Sequence, residues 1–574
     1  MVNAMMAMLE PLIRQITTLA DELDSTCKND AERLLHAAAV YMRSCGSEQP
    51  ELERLIPDLG SMLRCEGTTG KAARQRAGAY YTPPMLVGFI LDHTLDLWLA
   101  ENPDCEPTVL DPSCGTGRFL LAAGRRLVRR HISRTGESES AAWRHVGPLL
   151  LGLDSDQIAT AWLAGRIQSL AGGDHAAATG IRTTDALGEE GIRNCRADIV
   201  VGNPPFGSPL KQASDAEAAR RAMKALGGRV GPYTDLAAIF LGHARAAVND
   251  GGFLAMVQPL SVLASRDADQ VRAALLETCT PTAAWASGKR IFDADVFTCA
   301  VVFKKGPSPR ECHVSRFRDL PAHACGSATI GTGDRSWSPL ATAAMGFPDV
   351  PEFQDAGTIG DIAEATADFR DQYYGLKQAI IECGTSLEDG VAPVVTTGVL
   401  DSARCYWGDR PIRLFGQLWN RPGIVISSLD TSMQEWATAR LVPKLMLPTQ
   451  TRTLEPVLDL DGRWLPSVPI ISITARRLSD LPRIAAVLAC PLISLLALHR
   501  CLGTARSPKA IKLSASDVLS LPTPADEAAW EAGARAFVLA QQTQDQAERD
   551  ACLLQCSEHM LTAYRVEHGA IESG

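Results

Sequence analysis

Between Ala79 and about Lys305 the sequence alternates short apolar runs with longer amphipathic ones, and this pattern constrains the fold more than any other feature of the chain. The predicted strands are Thr108–Asp111, Leu149–Asp154, Asp198–Gly202, Phe253–Gln258 and Cys299–Phe303, and the predicted helices are Arg118–Arg130, Gln157–Leu170 and Asp235–Val248. Such alternation is typical of a mainly parallel sheet that is covered by helices on both faces. We therefore predict an α/β domain whose ligands bind beyond the carboxyl ends of the strands.

A glycine-rich loop follows the first predicted strand. The segment Asp111-Pro112-Ser113-Cys114-Gly115-Thr116-Gly117-Arg118-Phe119 leads from that strand into a helix. Gly115 and Gly117 allow the backbone to turn sharply and to approach a ligand, and the helix N-terminus offers N–H groups to the ligand's polar end. A dinucleotide-binding fingerprint would place a third glycine where Leu120 stands, so the loop disfavours NAD.

Acidic residues follow the next two predicted strands. Asp154 ends the second strand, where a carboxylate can accept hydrogen bonds from both hydroxyls of a ribose. Helix N-capping is the alternative role for Asp154 and for its neighbour Asp156. Asp185 follows a short third strand and is followed by Ala186. The Asp185 carboxylate is expected either to hold the exocyclic amine of an adenine ring or to serve as an ordinary turn residue.

The tetrapeptide Asn203-Pro204-Pro205-Phe206 follows the apolar strand that ends at Gly202. An Asn at a strand end, two prolines and an aromatic ring form a rigid polar lip with a flat face. This combination suits the task of holding a planar amine while its lone pair attacks a second reactant. A plain turn between a strand and a helix is the alternative.

Together these residues resemble the S-adenosylmethionine-dependent methyltransferases, in particular the DNA methylases that modify adenine N6. The resemblance covers about residues 75 to 305 and implies a Rossmann-like methyltransferase domain. The segment Gly78-Ala79-Tyr80-Tyr81-Thr82-Pro83-Pro84 matches the family's motif before the glycine loop, the tetrapeptide matches its catalytic motif, and Gly251–Val257 matches a later strand.

The resemblance also implies roles for individual residues. The leading acid of the loop, Asp111, is expected to contact the methionine amino group of the cofactor. The residues expected to bind S-adenosylmethionine are Tyr81, Thr82, Asp111, Ser113, Gly115, Gly117, Phe119, Asp154, Asp185, Ala186 and Asn203. The residues expected to be catalytic are Asn203, Pro204 and Phe206, and those expected to bind the flipped base are Phe206 and Phe297. Phe292 is an alternative to Phe297, and either ring is also compatible with a core position.

At 574 residues the chain is too long for one ordinary core, and its composition divides it further. We predict an N-terminal helical domain (1–75), the methyltransferase domain (76–310), a connecting region (311–385), an α+β target-recognition domain (386–525) and a C-terminal helical segment (526–574). Residues 404–512 carry 15 Lys and Arg against 7 Asp and Glu, a balance of +8, although the whole chain carries −10. A basic segment on an acidic protein favours a surface that faces phosphates, and chance segregation of charge is the alternative.

The polar candidates for reading DNA lie in or next to this segment. They are Arg404, Arg410, Lys444, Gln450, Arg452, Arg506 and Lys509. The nearest approach to a metal cluster, Cys552, Cys556 and His559, lacks a fourth ligand, so we interpret the 16 cysteines as reduced thiols of a cytosolic protein and predict no metal site; a structural zinc site is the alternative. The apolar run near Ile484 to Leu498 contains Pro491, so we expect a buried helix with a break rather than a membrane span.

The resemblance predicts a cytoplasmic DNA adenine-N6 methyltransferase that acts on double-stranded DNA after base flipping. Restriction-modification or phage defence is the expected setting, with separate restriction or defence subunits as partners, because no nuclease or helicase motif is visible. The alternatives are a methyltransferase of RNA or of protein glutamine, and a catalytically silent DNA-binding subunit.

Overall fold

The structure is a computed structural model, and it describes residues 82–188, 190–207, 234–292, 296–334, 336–367, 370–503 and 510–566. The chain divides into two compact units, Met1–Met345 and Gly346–Gly574. The predicted N-terminal helical domain and Tyr81 lie outside the described residues. Each unit is treated by itself below.

The first unit is built on a sheet of nine strands in the order β3-β2-β1-β4-β5-β7-β6-β8-β9. The strands are β1 (Val109–Asp111), β2 (Leu150–Asp154), β3 (Ile181–Thr183), β4 (Ala197–Gly202), β5 (Val248–Pro259), β6 (Cys279–Ala286), β7 (Thr298–Lys305), β8 (Glu311–Arg318) and β9 (His323–Gly331). The helices are α1 (Pro84–Asp92), α2 (Leu95–Glu101), α3 (Arg118–Thr135), α4 (Glu139–Val146), α5 (Gln157–Leu170), α6 (Leu236–Ala247), α7 (Asp269–Thr278) and α8 (Pro339–Thr342).

Strands β1 to β5 are all parallel to one another, and β7 is antiparallel to both β5 and β6. The carboxyl ends of β1, β2 and β4 therefore meet at one edge of the sheet, and the order of the strands reverses between β1 and β4. The mainly parallel α/β arrangement predicted from the sequence is confirmed. Each strand and helix predicted there is present, with ends that shift by a few residues.

Helices α1 and α3 pack on this sheet through apolar side chains. Leu86 and Ile90 of α1, Leu120 of α3 and the strand residues Val109 and Ile199 belong to one buried cluster. Burial of the apolar stripe of each helix against the sheet is the main source of stability for such a layer. The glycine loop between β1 and α3 is thus anchored at both ends in the core.

The sheet extends past the predicted domain boundary at residue 310. Strand β8 pairs in parallel with β6, with Ala283 opposite Ser315, and β9 pairs antiparallel with β8. Buried and exposed side chains alternate along Glu311–Arg318, the period expected for a strand with one face on the core. The first unit therefore includes the beginning of the predicted connecting region.

The second unit is a mixture of short strands and helices, as expected for an α+β domain. Its strands are β10 (Asp355–Thr358), β11 (Ala363–Ala367), β12 (Ile380–Glu382), β13 (Val391–Val395), β14 (Leu400–Asp401), β15 (Arg404–Cys405), β16 (Ile412–Leu414), β17 (Gln417–Trp419), β18 (Pro422–Val425), β19 (Lys444–Pro448), β20 (Gln450–Thr451), β21 (Val457–Asp459), β22 (Leu465–Pro466), β23 (Ile470–Ala475), β24 (Ile511–Lys512) and β25 (Pro522–Pro524). Its helices are α9 (Arg370–Gly375), α10 (Thr431–Arg440), α11 (Asp480–Ala489), α12 (Pro491–Cys501), α13 (Ala515–Leu519), α14 (Glu527–Gln542) and α15 (Gln546–Ala563).

Two four-stranded sheets organise the second unit, β11-β23-β19-β21 and β12-β18-β13-β22. Met446 of the first and Val394 of the second lie in the same buried cluster. The predicted break in the apolar run falls at Cys490, between α11 and α12, and Leu488 and Leu492 on either side are fully buried. Among the described residues no single helix is long and apolar enough to cross a membrane; α11 and α12 meet those criteria only as a pair that is bent by 68°.

Candidate active site

The glycine loop is fastened to the end of β2 by two hydrogen bonds. The Cys114 amide donates to the Leu153 carbonyl at 3.0 Å, and the Gly115 amide donates to Asp154 Oδ2 at 2.8 Å. The second bond is charge-assisted and therefore among the stronger types. The neighbouring strand end thus determines the shape of the loop.

Both glycines of the loop have positive φ angles, +50° at Gly115 and +89° at Gly117. A Cβ on Gly117 would lie 2.1 Å from a methyl carbon of Leu163 in α5, so a side chain there is excluded by packing as well as by backbone geometry. A Cβ on Gly115 would have no heavy atom within 4 Å. The loop is therefore packed tightly behind Gly117 and open at Gly115.

Asp111 is the last residue of β1, and its carboxyl group is almost completely buried. Its Oδ1 accepts a hydrogen bond from the Ser113 amide at 3.0 Å. Burial raises the pKa of Asp111 to about 7, the hydrogen bonds from Ser113 act to lower it, and the neighbouring carboxylate of Asp154 raises it. A buried carboxyl with a raised pKa is a site where a ligand cation is strongly favoured, since the cation offsets the cost of ionisation.

The structure separates the roles of the two acids after β2. Asp156 Oδ1 accepts from the Ala159 amide at 3.1 Å, which is the N-capping bond of α5. Asp154 instead faces the loop, and its Oδ1 accepts from the Asp156 amide at 2.9 Å. A carboxylate has about four lone-pair sites, so a carboxylate at this position can accept several hydrogen bonds at once.

The remaining expected cofactor residues have different surroundings. Asp185 is exposed after β3, its Oδ1 accepts from the Leu187 amide at 3.0 Å, and Ala186 is buried beside it. Thr82 is buried immediately before α1, and Phe119 is buried in the core at the start of α3. Their contacts with a cofactor stay predictions.

Asn203 directly follows the carboxyl end of β4, which lies next to the carboxyl end of β1. A Cβ on the preceding residue, Gly202, would lie 2.6 Å from Asp111 Oδ1 and 3.4 Å from Ser113 Oγ. Only glycine allows β4 to approach β1 this closely. Asn203 is half-buried with its side-chain oxygen shielded from solvent, and Pro204 is buried. The predicted catalytic tetrapeptide and the predicted cofactor loop are therefore neighbours.

A half-buried carboxylate accepts a hydrogen bond from the residue that follows the tetrapeptide. Asp235 Oδ2 accepts from the Gly207 amide at 3.0 Å, and its Oδ1 accepts from the Ala237 amide at 2.9 Å as the N-cap of α6. The Leu236 amide donates to the Gly207 carbonyl at 2.8 Å. Burial raises the pKa of Asp235 to about 6 against the effect of these two backbone bonds to the carboxylate. The sequence did not predict this contact, since it placed Asp235 only as the first residue of a helix.

The aromatic rings near the tetrapeptide are arranged around Phe206. Its ring is 6% exposed and makes an edge-to-face contact with Phe292, at 6.3 Å between centroids and 88° between planes. Phe297 is half-buried just before β7, with the Arg290 guanidinium 5.6 Å from its ring centroid. In the described residues it is thus Phe292, the alternative candidate, that packs on Phe206, and the role of Phe297 stays a prediction.

The predicted DNA-reading residues of the second unit that the structure describes fall into three groups. Lys444 is fully buried and forms an ion pair with Asp459 at 2.5 Å, so its predicted role at a DNA surface is wrong. Arg410 forms a bidentate pair with Asp401, and Arg404 and Arg410 both lie over the ring of Tyr406. The exposed candidates are Gln450 and Arg452, at and just after β20. Arg506 and Lys509 lie outside the described residues.

Comparison with protein families identifies the first unit. Residues 67–319 match the family described as N-6 DNA Methylase. The chain carries an N-6 DNA methylase domain. The matched segment contains the glycine loop, the tetrapeptide and all the described strands from β1 to β8. The predicted family and the Rossmann-like methyltransferase fold are confirmed.

Two relatives of this methylase domain are methyltransferases, and one of them is a subunit of a restriction enzyme. The adenine-specific methyltransferase PglX of Streptomyces coelicolor is 29% identical over 167 residues, which is 26% of this chain and 14% of PglX. The methylase subunit of the type I restriction enzyme StySPI of Salmonella potsdam is 28% identical over 255 residues, 41% of this chain and 44% of that subunit. The chain thus spans less than half the length of these relatives.

A solved structure extends the likeness beyond the methylase domain. The type IIL restriction-modification enzyme MmeI in complex with DNA aligns with a TM-score of 0.56 at 14% identity, over 97% of this chain and 88% of MmeI. At this identity the comparison establishes a common fold. The alignment includes the second unit, so the short strands and helices after Gly346 are part of that fold.

Proposed function

We propose that this protein is an S-adenosylmethionine-dependent methyltransferase that modifies adenine N6 in double-stranded DNA. The observation that carries the proposal is the close approach of Gly202 to Asp111, because it brings Asn203 next to the glycine loop. A methyl donor held by that loop and an amine held by Asn203 would be adjacent. The adenine-specific relative PglX supports the choice of base.

The site fits the cofactor on chemical grounds. The buried carboxyl of Asp111 suits an ammonium group, Asp154 suits the ribose hydroxyls, and the open space at Gly115 allows a ligand to approach the backbone. S-adenosylmethionine supplies an activated methyl group on a sulfonium. The family match supports this assignment for the whole loop from Asp111 to Gly117.

Asn203 and Pro204 have the properties needed to orient an adenine amine. The amine lone pair is delocalised into the ring, and two acceptors on its two N–H bonds favour a more tetrahedral nitrogen. The Asn203 side-chain oxygen is one acceptor and the Pro204 carbonyl is the other. Neither brings a full charge, and the prolines keep the carbonyl oriented. The chain thus acts mainly by positioning the amine.

The base has to leave the duplex to reach this edge of the sheet, so base flipping is part of the proposal. Phe206 offers a ring for stacking, with a value of roughly 1–3 kcal/mol per base in single-strand binders. Its edge contact with Phe292 fixes the plane of the ring. A stacked base would therefore have a defined orientation above the tetrapeptide.

We further propose that the second unit recognises the DNA target. Support comes from the basic balance of residues 404–512, from the exposed Gln450 and Arg452, and from the fold shared with MmeI, which was solved with DNA. We also propose a cytoplasmic setting with restriction or defence subunits as partners, and the name of the StySPI methylase subunit supports the restriction setting. Two measurements would distinguish residues that read base edges from residues that contact phosphates. Replacing a base-reading residue should change the sequence preference, whereas replacing a phosphate-binding residue should reduce the salt dependence of binding.

Tritium transfer from labelled S-adenosylmethionine tests the proposal directly. Duplex DNA, RNA and a cell protein extract are offered as substrates to the wild type, to Asn203→Ala and to Asn194→Ala. Asn194 is exposed and precedes the amino end of β4, whereas Asn203 follows its carboxyl end. Asn194→Ala is therefore a matched control with the same substitution away from the site. We expect label in duplex DNA, unchanged transfer by Asn194→Ala, and a loss of about 10²–10³-fold for Asn203→Ala, the size typical of removing one preorganised group.

The other outcomes identify the alternatives. Label in RNA or protein with none in DNA would replace the proposed substrate. Equal inactivity of the wild type and Asn203→Ala, with intact cofactor and DNA binding, would indicate a silent DNA-binding subunit. Single-molecule sequencing of DNA from cells with and without the gene then gives the modified base and its sequence context.

A further inference from the structure

Three residues from three separate elements bring metal-ligating atoms together on the first unit. They are Glu106 in the segment before β1, His131 in α3 and His145 in α4. One potential ligand atom from each lies within 4.8 Å of those of the other two. Glu106 Oε1 is 3.4 Å from His131 Nδ1, and Glu106 Oε2 forms a short contact with His145 Nε2.

These separations are close to those of a zinc coordination sphere. Zn²⁺ binds His nitrogen and carboxylate oxygen at about 2.0–2.2 Å, so two ligand atoms of a tetrahedral site are roughly 3.3 Å apart. The distance from Glu106 Oε1 to His131 Nδ1 already has this value. Moderate side-chain rotation of His145, which is exposed, would complete the set.

The second nitrogen of His131 has the partner that metal-bound histidines usually have. His131 Nε2 is 3.2 Å from Glu137 Oε2, and the His131 side chain is only 10% exposed. A carboxylate on the far nitrogen fixes the orientation of the ring and makes the other nitrogen a better ligand. Glu137 lies outside the ligand trio, so this is an observation independent of the cluster distances.

The arrangement of charge favours a divalent cation between the rings. The imidazoles of His131 and His145 stack at 4.3 Å between centroids with 28° between planes. Two imidazolium ions at that distance would repel each other, whereas two neutral rings can share one cation. Glu106 and Glu137 carry two negative charges, which one divalent ion balances. Arg130 and Arg134 nearby donate to the Pro103 carbonyl and reduce the attraction without removing it.

We propose that Glu106, His131 and His145 bind one divalent cation of the zinc type, with Glu137 as the supporting carboxylate. The ligand set of two imidazoles and one carboxylate selects Zn²⁺, Co²⁺ or Ni²⁺ over Mg²⁺, which prefers oxygen. The bound ion would fasten the segment that enters β1 onto α3 and α4. Glu106 precedes the start of β1, whereas the glycine loop follows the end of β1, so the two sites are separate.

The test is metal binding to the full chain after treatment with a chelator. Titration with Zn²⁺ by calorimetry and with Co²⁺ by visible absorption measures stoichiometry, affinity and coordination geometry. We expect His145→Gln to remove one equivalent of tight binding and the tetrahedral Co²⁺ spectrum. Glu137→Gln should weaken binding by about 10–100-fold, the usual effect of removing the supporting carboxylate.

Two matched variants control for other ligands. His175 is exposed on the same unit, and Cys105 is an exposed thiol next to Glu106, so His175→Gln and Cys105→Ser should leave the affinity unchanged. Circular dichroism confirms that each variant is folded. Zn²⁺ binding that is identical in the wild type and His145→Gln, or a wild type that takes up no Zn²⁺, would overturn the proposal.

Discussion

The carboxyl of Asp111 is expected to make cofactor affinity dependent on pH, and this provides a quantitative test of the loop. Its pKa is raised to about 7, chiefly by burial. If the ionised form binds the ammonium group of S-adenosylmethionine, affinity must rise as Asp111 loses its proton. A model α-amino group has a pKa of about 7.7–8.0, so the ligand keeps its charge below about pH 7.

The size of the effect follows from the ionised fraction. With a pKa of about 7, roughly 3% of Asp111 is ionised at about pH 5.5 and roughly half at about pH 7. The dissociation constant of the cofactor should therefore fall by about 15-fold over this range, equivalent to roughly 1.6 kcal/mol. Binding at the lower pH should release close to one proton, because the cation stabilises the ionised carboxylate.

Isothermal titration of S-adenosylmethionine at several pH values measures the affinity. Repeating each titration in buffers of different ionisation enthalpy gives the number of protons released. Asp111→Asn is the control: it keeps an acceptor oxygen for the Ser113 amide but cannot ionise, so its affinity should be lower and nearly independent of pH. A flat profile for the wild type, no proton release, or the same slope in Asp111→Asn would refute the assignment of Asp111.

Three further changes test the packing around the site. Asp235→Asn keeps only one acceptor oxygen, so it should lose its hydrogen bond from the Gly207 amide, which follows the tetrapeptide. We expect a lower kcat and, by calorimetry, an unchanged Kd for the cofactor. An unchanged kcat would contradict this role. Gly202→Ala puts a Cβ 2.6 Å from Asp111 Oδ1 and should lower kcat by roughly 10²-fold, because a displacement of about 1 Å has that cost. Lys444→Met leaves the buried carboxylate of Asp459 without its cationic partner and should lower the free energy of unfolding, measured with urea, by about 3–5 kcal/mol. An effect below about 1 kcal/mol would indicate that Asp459 is neutral in the fold.

The sequence predicted the parts of the site that are encoded locally. The loop from Asp111 to Gly117 and the tetrapeptide after Gly202 each combine a strand end with turn residues, so their position at the same edge of the sheet followed from the α/β pattern. Strand β6 was missed because Pro281 and several alanines weaken its apolar signal. Its absence from the prediction also hid the pairing of β8, and with it the true extent of the first unit.

Contacts between distant residues were beyond sequence reasoning. Lys444 looked like a surface cation until the fold paired it with Asp459 inside the second unit. A lysine flanked by apolar residues on both sides, as in Pro443–Met446, is the signal that could have indicated burial. The trio of Glu106, His131 and His145 gave no signal either, because its members have no ligand spacing along the chain.

Three carboxylates share one task in this site. Asp111 holds the Ser113 amide, Asp154 holds the Gly115 amide and Asp235 holds the Gly207 amide. Each fixes the backbone of a loop that carries a ligand-binding or reacting group, and two of them, Asp111 and Asp235, are buried enough for their pKa to be raised. A carboxylate that accepts hydrogen bonds from backbone amides is a poor general base, because taking up a proton would weaken those hydrogen bonds. The acidic limb of the kcat profile should therefore report loss of positioning, and it should shift when Asp235 is replaced, although Asp235 is not among the residues proposed to hold the adenine.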